Sequence, residues 1–340
     1  MSLEGRLLVT GVGGPSGISI IQAVADEPLT IFGGDIDPFA AGLYLVPDDQ
    51  RLILPRGDAD DFVDFVYDAC VEHEIDVLVP TVDTELLKLA RQRDRFAEAG
   101  TTVIVADAET LEMCLDKWVL YQRCRDAVRV PEVTLVDDGF DAASWPLPAI
   151  VKPRVGSGSR GVRLIGRPEE FDGLERDSTL MAQEYLPGIE YSIDVLATRA
   201  GEVLAAVPRA RLKVDSGIAI TGRTRRDDAL EEIGRGVAEN IGLNTVANVQ
   251  VKIAADGNPA LIEVNPRFPG TMPLTVASGV NMPLLAIGEA IGEPMPAGPI
   301  EHREVAMVRY FSERIFDFAE IEAMQAEAER VHPQPTELPS

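Results

Sequence analysis

The sequence predicts a parallel α/β domain at the N-terminus followed by a larger α+β region. Between residues 6 and 106, short apolar strands alternate with helical segments, which is typical of a parallel sheet covered by helices. After a polar, proline-bearing connector at residues 137–148, the pattern becomes strand, glycine-rich loop and strand. The chain has 340 residues, 46% of them hydrophobic, which is enough for two or three folded domains.

The elements of the N-terminal region follow one another regularly. RLLVTG and LTIFGGDID are predicted strands on either side of a helix from Pro15 to Asp26. DADDFVDFVYDACVEHE has the apolar spacing of an amphipathic helix. DVLVPTV and TTVIVAD supply two more strands around a helix at residues 84–98. Helical patterns return at residues 108–127 and 227–241, ahead of two alternating apolar runs that end near residue 268.

Charge and cysteine content limit the functional classes. The chain carries 31 basic and 56 acidic residues, a net charge of −25, which argues against a nucleic-acid partner. The acidic excess fits either an ordinary solvated surface or adaptation to high salt. No apolar run reaches the roughly 18 residues of a membrane span, and the opening residues lack a signal-peptide layout. With three cysteines and no C-x-x-C motif, we expect a cytoplasmic protein with reduced thiols and no membrane partner.

A turn signal between the two alternating runs predicts a metal-type site. Asp256-Gly257 between such runs is a strong hairpin signal. If the hairpin is symmetric about this dipeptide, Gln250 lies opposite Glu263, and Asn265 shares their face. Three oxygen ligands with one carboxylate suit Mg²⁺, which completes its shell with water and phosphates. The alternative is an edge hairpin whose polar face meets water.

A glycine- and serine-rich loop follows Lys152 at the end of the predicted strand PAIVK. In GSGSRG, residues 156–161, glycines let backbone amides approach phosphate oxygens, and the serines and Arg160 add donors. It is not a Walker A loop, because no Gly-Lys-Ser/Thr opens a helix after it. We therefore expect a mobile lid over a phosphate, with an ordinary flexible surface hairpin as the alternative.

The segment MAQEYLPGIEYSIDVL carries candidate nucleotide contacts around a Pro-Gly turn. Backbone groups of residues 184–186 can recognise an adenine edge, and the Glu190 carboxylate can accept hydrogen bonds from ribose hydroxyls. The alternative is that Glu184 and Glu190 are simply solvated.

Residues 207–226 hold the one basic concentration of this acidic chain. Strand alternation through Arg209, Arg211 and Lys213 would direct three cations to the same side. Such a face is where a phosphate or a substrate carboxylate would dock, although charge runs are more often solvated surfaces.

The loop GVGGPSG at residues 11–17 resembles a dinucleotide-binding turn only in part. The motif G-x-G-x-x-G would place its third glycine at Ser16, and Pro15 interrupts it. A tight strand-to-helix turn needs glycines in any case. An NAD(P)-dependent dehydrogenase that works without magnesium therefore stays an alternative.

Four segments taken together resemble the ATP-grasp superfamily, and particularly one synthetase half of the carbamoyl-phosphate synthase large subunit. They are LDKWVLYQ at 115–122, IVKPRVGSGSRGV at 150–162, QEYLPGIEYSIDV at 183–195, and NVQV with LIEVNPR between 248 and 267. The implied fold is a parallel Rossmann-like domain followed by α+β ATP-grasp domains. The implied domains are residues 1–107, a lid subdomain at 108–180, a large subdomain at 181–320, and an acidic, proline-bearing tail at 321–340.

The resemblance also implies ligands and residue roles. ATP and Mg²⁺, which Mn²⁺ could replace, would be the cofactors, with the metal on Gln250, Glu263 and Asn265. Arg267 would stabilise the transferred phosphoryl group, and Arg211 or Lys213 is our candidate for orienting the substrate carboxylate. The implied nucleotide-binding set is Lys117, Lys152, Gly156, Ser157, Gly158, Ser159, Gly161, Glu184, Tyr185, Leu186 and Glu190.

The predicted function is that of an ATP-dependent carboxylate–amine ligase acting through an acyl phosphate. Its partners would be a small carboxylate and an amine, with a homodimer left open. Carbamoyl-phosphate synthesis by this chain alone is not expected, because it carries a single grasp and Lys117 stands where those synthases more often have arginine. The segment after Arg267 also departs from the synthase pattern. A non-catalytic ATP-binding regulator is the alternative.

Overall fold

The computed structural model describes residues 3–332 except 157, 159, 216 and 217. The described residues form two compact units. The first comprises residues 3–108, 267–298 and 309–332, and the second comprises residues 109–266 and 299–308. Within these described residues, no helix combines the length and the apolar character needed to cross a membrane.

The first unit is built on a five-stranded parallel sheet with the order β3-β2-β1-β4-β5. Leu7, Leu8 and Val9 of its central strand are fully buried. Parallel sheets are usually covered on both faces, which is why this strand is a continuous run of apolar residues. The predicted parallel α/β domain is confirmed. Its N-terminal elements are β1 (Gly5–Thr10), α1 (Pro15–Ala23), β2 (Leu29–Asp35), 3₁₀ turns (Ala41–Leu45, Asp48–Gln50), β3 (Arg51–Ile53), α2 (Phe62–Glu72), β4 (Val77–Val79), α3 (Asp83–Arg91), α4 (Arg93–Glu98) and β5 (Thr102–Val103).

The second unit contains two antiparallel sheets, which confirms the predicted α+β region. One has four strands in the order β6-β9-β7-β8, and the other has six in the order β14-β13-β10-β11-β12-β15. The elements are α5 (Ala108–Leu115), α6 (Lys117–Cys124), β6 (Val133–Asp137), β7 (Ala149–Pro153), β8 (Arg163–Ile165), a 3₁₀ turn (Pro168–Phe171), β9 (Asp177–Glu184), β10 (Glu190–Ala197), β11 (Val203–Asp215), β12 (Ile218–Thr224), α7 (Asp228–Ile241), β13 (Val246–Ile253), β14 (Pro259–Asn265) and β15 (Ala306–Val308).

Helix α7 covers one face of the six-stranded sheet. It starts where the Asp227 side chain accepts a hydrogen bond from Leu230 N at 3.3 Å, and it ends at Gly242, which has a left-handed φ of 65°. Gly234 lets the helix approach closely, because a Cβ there would lie 2.7 Å from Ile193 Cγ2. One sheet face is therefore packed, and the opposite face is available for a site.

The remaining helices are α8 (Met272–Ala277), α9 (Met282–Ala290) and α10 (Phe318–Val331), and they belong to the first unit. Asn281 Nδ2 donates to Ala23 O at 2.8 Å, and the Ser16 hydroxyl donates to Phe268 O. Glu320 of α10 pairs with Arg51 at 2.8 Å. The contacts thus group residues 267–298 and 309–332 with the N-terminal sheet, whereas the sequence analysis grouped 181–320 together and read 321–340 as a tail.

The hairpin of β13 and β14 is not symmetric about Asp256-Gly257 as predicted. Ala254 and Asn258 close a three-residue loop, in which Gly257 takes a left-handed φ of 86°, so pairing near the turn is shifted by one residue. A bulge at Ile262 then restores the predicted register, and Gln250 lies opposite Glu263. The predicted pairing is therefore confirmed, but the reason given for it was wrong.

Candidate active site

A cleft of about 560 Å³ lies between the two sheets of the second unit. Its lining includes three of the five lysines in the chain. In a protein with a net charge of −25, this concentration of cations marks a site for an anion. The basic side chains are Lys117, Lys152, Arg160, Arg211 and Lys252, and the acidic ones are Glu190 and Glu263.

Lys117 is held at the first position of α6. The Asp116 carboxylate caps this helix by accepting from Trp118 N at 2.9 Å, and it also binds Arg154 Nε at 3.2 Å. Lys117 N donates to Arg154 O at 3.0 Å, which joins the helix start to the end of β7. The Lys117 ammonium, on a residue 8% exposed, donates to Gly156 O at 2.7 Å.

Lys152 lies deeper in the cleft, on β7. It is 4% exposed, and its ammonium nitrogen is 2.9 Å from the hydroxyl of Tyr121. Burial, followed by the nearby charge of Lys117, lowers the pKa of Lys152 to about 7, and Glu263 opposes this shift. An anion bound beside Lys152 would raise this pKa again, because it favours the charged form of the lysine.

The predicted metal ligands lie on the strands of the hairpin. Gln250 and Glu263 are cross-strand neighbours and both line the cleft. Glu263 Oε2 lies 3.8 Å from Lys117 Nζ. Asn265 pairs in register with Asn248 and is half-buried, but it does not line the cleft. The structure therefore brings two of the three predicted ligands directly to the cleft.

Three charged residues that line the cleft form a row across adjacent strands. Glu190 on β10 faces Lys252 on β13 and forms an ion pair with Arg211 on β11. The Lys252 ammonium lies 5.4 Å from the centre of the Tyr185 ring. Glu190, Tyr185 and Arg211 were predicted from the sequence, and all three line the cleft.

The predicted alternation of Arg209, Arg211 and Lys213 is interrupted. Arg209 is 1% exposed and binds both oxygens of buried Asp194, at 2.6 and 2.8 Å, so it belongs to the core. Register shifts flank Lys213, which is exposed and does not line the cleft, whereas Val214 does. Such shifts redirect side chains, and the strand pattern cannot reveal them.

The predicted adenine-contacting segment, residues 184–186, connects the two sheets. Leu186 is 2% exposed and lines the cleft beside Tyr185. The side chain of Glu184 accepts from Glu132 N at 3.1 Å and lies 3.4 Å from Arg129, so it holds the segment in place. Only the backbone of Glu184 is therefore a candidate for ligand contact.

The described residues of the glycine-rich loop between β7 and β8 leave space around Gly156 and Gly158. Gly156 and Arg160 line the cleft, and a Cβ at Gly158, where φ is 67°, would meet only the Arg160 side chain, at 4.0 Å. Gly161 is exposed and packs against Pro153. The predicted phosphate contacts Ser157 and Ser159 lie outside the described residues.

Arg267, the predicted catalytic cation, lies in the first unit. Its Nε donates to Asp83 Oδ1 at 2.5 Å, where Asp83 is the first residue of α3. The side chain of Arg267 is 23% exposed and that of Asp83 is 37% exposed. Along the chain, Arg267 follows Asn265 by two residues.

Two known families match this chain. Residues 176–314 match the family described as ATP-grasp in the biosynthetic pathway with Ter operon, and residues 7–104 match the PylC-like N-terminal domain. Residues 176–314 therefore belong to the ATP-grasp superfamily. This match confirms the superfamily inferred from the four sequence segments. The matched region contributes Glu190, Gln250 and Glu263 to the cleft, whereas Lys117 and Lys152 precede it.

Curated relatives of this ATP-grasp protein include two kinds of ligase. The D-alanine–D-alanine ligase of Thermotoga petrophila is 31% identical over 105 residues, covering 29% of this chain and 35% of the relative. The chain thus spans about a third of the length of that relative. The 3-methyl-D-ornithine–L-lysine ligase of Methanosarcina barkeri is 27% identical over 276 residues, covering 75% of this chain and 71% of the relative.

A solved structure shares the fold over most of the chain. It is the biotin carboxylase domain dimer of the Hydrogenobacter thermophilus 2-oxoglutarate carboxylase, in complex with MgADP, ADP and bicarbonate. Its TM-score is 0.70 at 17% identity, covering 87% of this chain and 71% of that one. At 17% identity, this similarity shows a shared fold and nothing about shared activity.

Sequence reasoning missed three polar residues at the cleft. Gln183 and Lys252 line the cleft, and Tyr121 lies beneath it, bound to Lys152. Lys252 could have been found, because it lies two residues after Gln250 on the same predicted strand face. Tyr121 carried no signal, because a tyrosine inside a helix is usually a core residue.

Proposed function

We propose that this protein is an ATP-dependent ligase that joins a small carboxylate to an amine through an acyl phosphate. The observation that carries the proposal is the convergence of Lys117, Lys152 and Glu263 in one cleft of an otherwise strongly acidic chain. Two buried ammonium groups beside one carboxylate suit a magnesium triphosphate, because phosphoryl transfer depends mainly on positioning and charge compensation.

The residues of the cleft fall into two groups, one suited to the base and ribose of a nucleotide and one suited to its phosphates. In our proposal Tyr185, Leu186 and the backbone of Glu184 receive the base, and Glu190 accepts from the ribose hydroxyls. Lys117, Lys152 and Arg160 receive the phosphates under the glycine-rich loop. Ser157 and Ser159 remain predicted phosphate contacts.

The donor chemistry of the hairpin fits magnesium. Gln250, Glu263 and Asn265 offer oxygens only, with a single carboxylate, and Mg²⁺ commonly binds one or two carboxylates together with phosphates and water. The set contains no thiolate or imidazole ligand, so softer metals are not favoured. Bound magnesium would neutralise charge on the transferred phosphoryl group, and Mn²⁺ could replace it.

The proposed reaction balances as two displacements. A carboxylate oxygen attacks the γ-phosphorus of ATP and ADP leaves, which gives the acyl phosphate. The amine then attacks the acyl carbon, phosphate leaves, and the nitrogen loses a proton to give the amide. Lys152 and Arg267 are proposed to balance charge during the first step. Of the two candidates for orienting the carboxylate, Arg211 and Lys213, we favour Arg211, because it lines the cleft and Lys213 does not.

The names of the relatives support amino acids as the class of substrate. One relative is named as joining two D-alanines and the other as joining 3-methyl-D-ornithine to L-lysine. The likeness to carbamoyl-phosphate synthase halves and the acyl-phosphate route belong to this proposal. A homodimer and a cytoplasmic location remain part of it as well.

The test is ADP release by the purified protein with MgATP and a panel of amino acids offered singly and in pairs. We expect release that depends on a specific pair, and Glu263→Gln should lower it about 100-fold or more, because several kcal/mol of charge stabilisation are lost. Glu170→Gln is the matched control, since Glu170 lies in the same unit, binds Arg167 Nε at 3.1 Å and does not line the cleft. Nucleotide binding without turnover on any pair would favour a regulator instead.

A further inference from the structure

Tyr121 places a fully buried hydroxyl next to the cleft. This residue of α6 is fully buried, and three elements bring polar atoms to its hydroxyl. Lys152 Nζ lies at 2.9 Å, Gln183 Oε1 at 3.1 Å and the Ile262 carbonyl oxygen at 2.5 Å. A phenol so placed links β7, β9 and β14 at one point.

The donors and acceptors around this hydroxyl can be assigned. The Lys152 nitrogen donates to the phenol oxygen at 2.9 Å, and the charged form of this lysine can only donate. The single phenol proton then goes to one of the two oxygens, and Ile262 O is the nearer. Burial and the charge of Glu263 raise the pKa of Tyr121 well above its usual value, so the phenol keeps that proton.

Ile262 is the residue that determines the register of the hairpin. Leu261 pairs with Val251 and Glu263 pairs with Gln250, so Ile262 is the extra residue of the bulge. Without the bulge, the pairing near the turn would continue and place Ile262 opposite Gln250. A slip of one residue moves every side chain to the other face, and Glu263 would then point away from the cleft.

We propose that Tyr121 is a positioning residue for the metal site. Its hydroxyl holds the bulge at Ile262, which keeps Glu263 facing Gln250, and it orients the Lys152 ammonium at the same time. This inference rests on the proposed function for the identity of the ligands. It adds a residue that touches neither nucleotide nor metal.

The test is Tyr121→Phe, which removes one oxygen and keeps the packed ring. In the ligand-free protein, we expect faster hydrogen exchange at the backbone amides of Glu263 and Val264. With the ATP analogue AMP-PNP as probe, the Mg²⁺ concentration for half-maximal binding should rise about tenfold, as for loss of an outer-sphere partner. Binding of AMP-PNP without metal should change less than about threefold, because Lys152 can donate to phosphate instead.

Tyr191→Phe is the matched control. Tyr191 lies on β10 of the same unit and does not line the cleft, and its hydroxyl accepts from Arg225 Nη1 at 3.1 Å. This variant loses a comparable hydrogen bond and should leave both the exchange of the hairpin and the Mg²⁺ dependence unchanged.

Two outcomes would overturn the inference. One is an unchanged exchange rate and Mg²⁺ dependence in Tyr121→Phe, and the other is an equal change in Tyr191→Phe. If the wild-type protein fails to bind AMP-PNP, the proposed function fails. The exchange comparison still decides whether Tyr121 holds the bulge, because it needs no ligand.

Discussion

Two glycine-rich loops in this protein look alike in sequence and differ in structure. In the loop at residues 11–17, the chain itself fills the surroundings. Gly42 lies so close that a Cβ there would meet Val12 O, and the Ser16 hydroxyl is bound to Phe268 O. In the loop at residues 156–161, Gly158 has open space around it, and Lys117 binds the carbonyl oxygen of Gly156.

The comparison teaches that glycine content alone does not identify a phosphate site. In the first loop, glycines permit close packing between a strand, a helix and neighbouring segments. In the second, they leave backbone exposed beside a cluster of cations in the cleft. What separates the two is the space above the amides and the charge around them, and both depend on residues distant in sequence.

The largest expected effect concerns the cation beside the second loop. Lys152→Met should weaken AMP-PNP binding at pH 7 about 100-fold, or roughly 3 kcal/mol, because a charge-assisted hydrogen bond to phosphate is lost. Calorimetry in the presence of Mg²⁺ measures this change. Lys88→Met is the control, because Lys88 binds Ala59 O in the first unit.

The pH dependence of the same binding gives an independent check. The pKa of Lys152 is lowered to about 7 in the free protein, mainly by burial, and a bound triphosphate favours the charged form. Binding should therefore take up a proton, and the affinity should fall up to about tenfold per pH unit above pH 7. Lys152→Met should remove this slope. A slope that persists in the variant would assign the proton to another group.

The sequence supported much of this site because its ligands follow local rules. The hairpin signal at Asp256-Gly257 predicted the pairing of Gln250 with Glu263, although the symmetry that it assumed was wrong. Ordered motifs pointed to Lys117, Lys152 and Glu190. The sequence could not predict the bulge at Ile262. Bulges depend on contacts from other elements, here with the hydroxyl of Tyr121.

The fold was predictable to a similar extent and for a similar reason. The parallel sheet follows from apolar runs that alternate with helices within one continuous stretch. The return of residues 267–298 to the first unit could not be predicted, since it depends on tertiary contacts such as Asn281 with Ala23 O. Local patterns carry no information about such long-range docking.

A smaller effect on stability should separate the two loops directly. In Gly17→Ala, the new Cβ would lie 2.7 Å from Val12 Cα, and we expect a loss of about 2 kcal/mol in the free energy of unfolding. The KM for ATP should not change. In Gly158→Ala the space is open and the cost is the left-handed backbone, about 1 kcal/mol, with a raised KM for ATP.

Urea unfolding and ATP-dependent ADP release measure the two quantities on both variants. The expected result is a crossed pattern, with stability affected more in the first loop and nucleotide use affected only in the second. A raised KM in Gly17→Ala with unchanged stability would place a nucleotide at the first loop. The distinction drawn between a packing loop at residues 11–17 and a phosphate loop at residues 156–161 would then be wrong.

The smallest expected effect concerns NAD⁺ and NADP⁺. Added without magnesium, neither should change the melting temperature of the protein. A dinucleotide needs backbone amides that can approach its pyrophosphate. At the first loop, the Asp35 carboxylate already accepts from Gly13 N at 2.6 Å, and a Cβ on Gly270 would lie 2.7 Å from Pro15 Cγ. We therefore expect an unchanged melting temperature with either dinucleotide and a raised one with AMP-PNP and Mg²⁺. A rise with NAD⁺ alone would require the segments at Asp35 and Gly270 to move aside, and it would restore the dehydrogenase as a candidate.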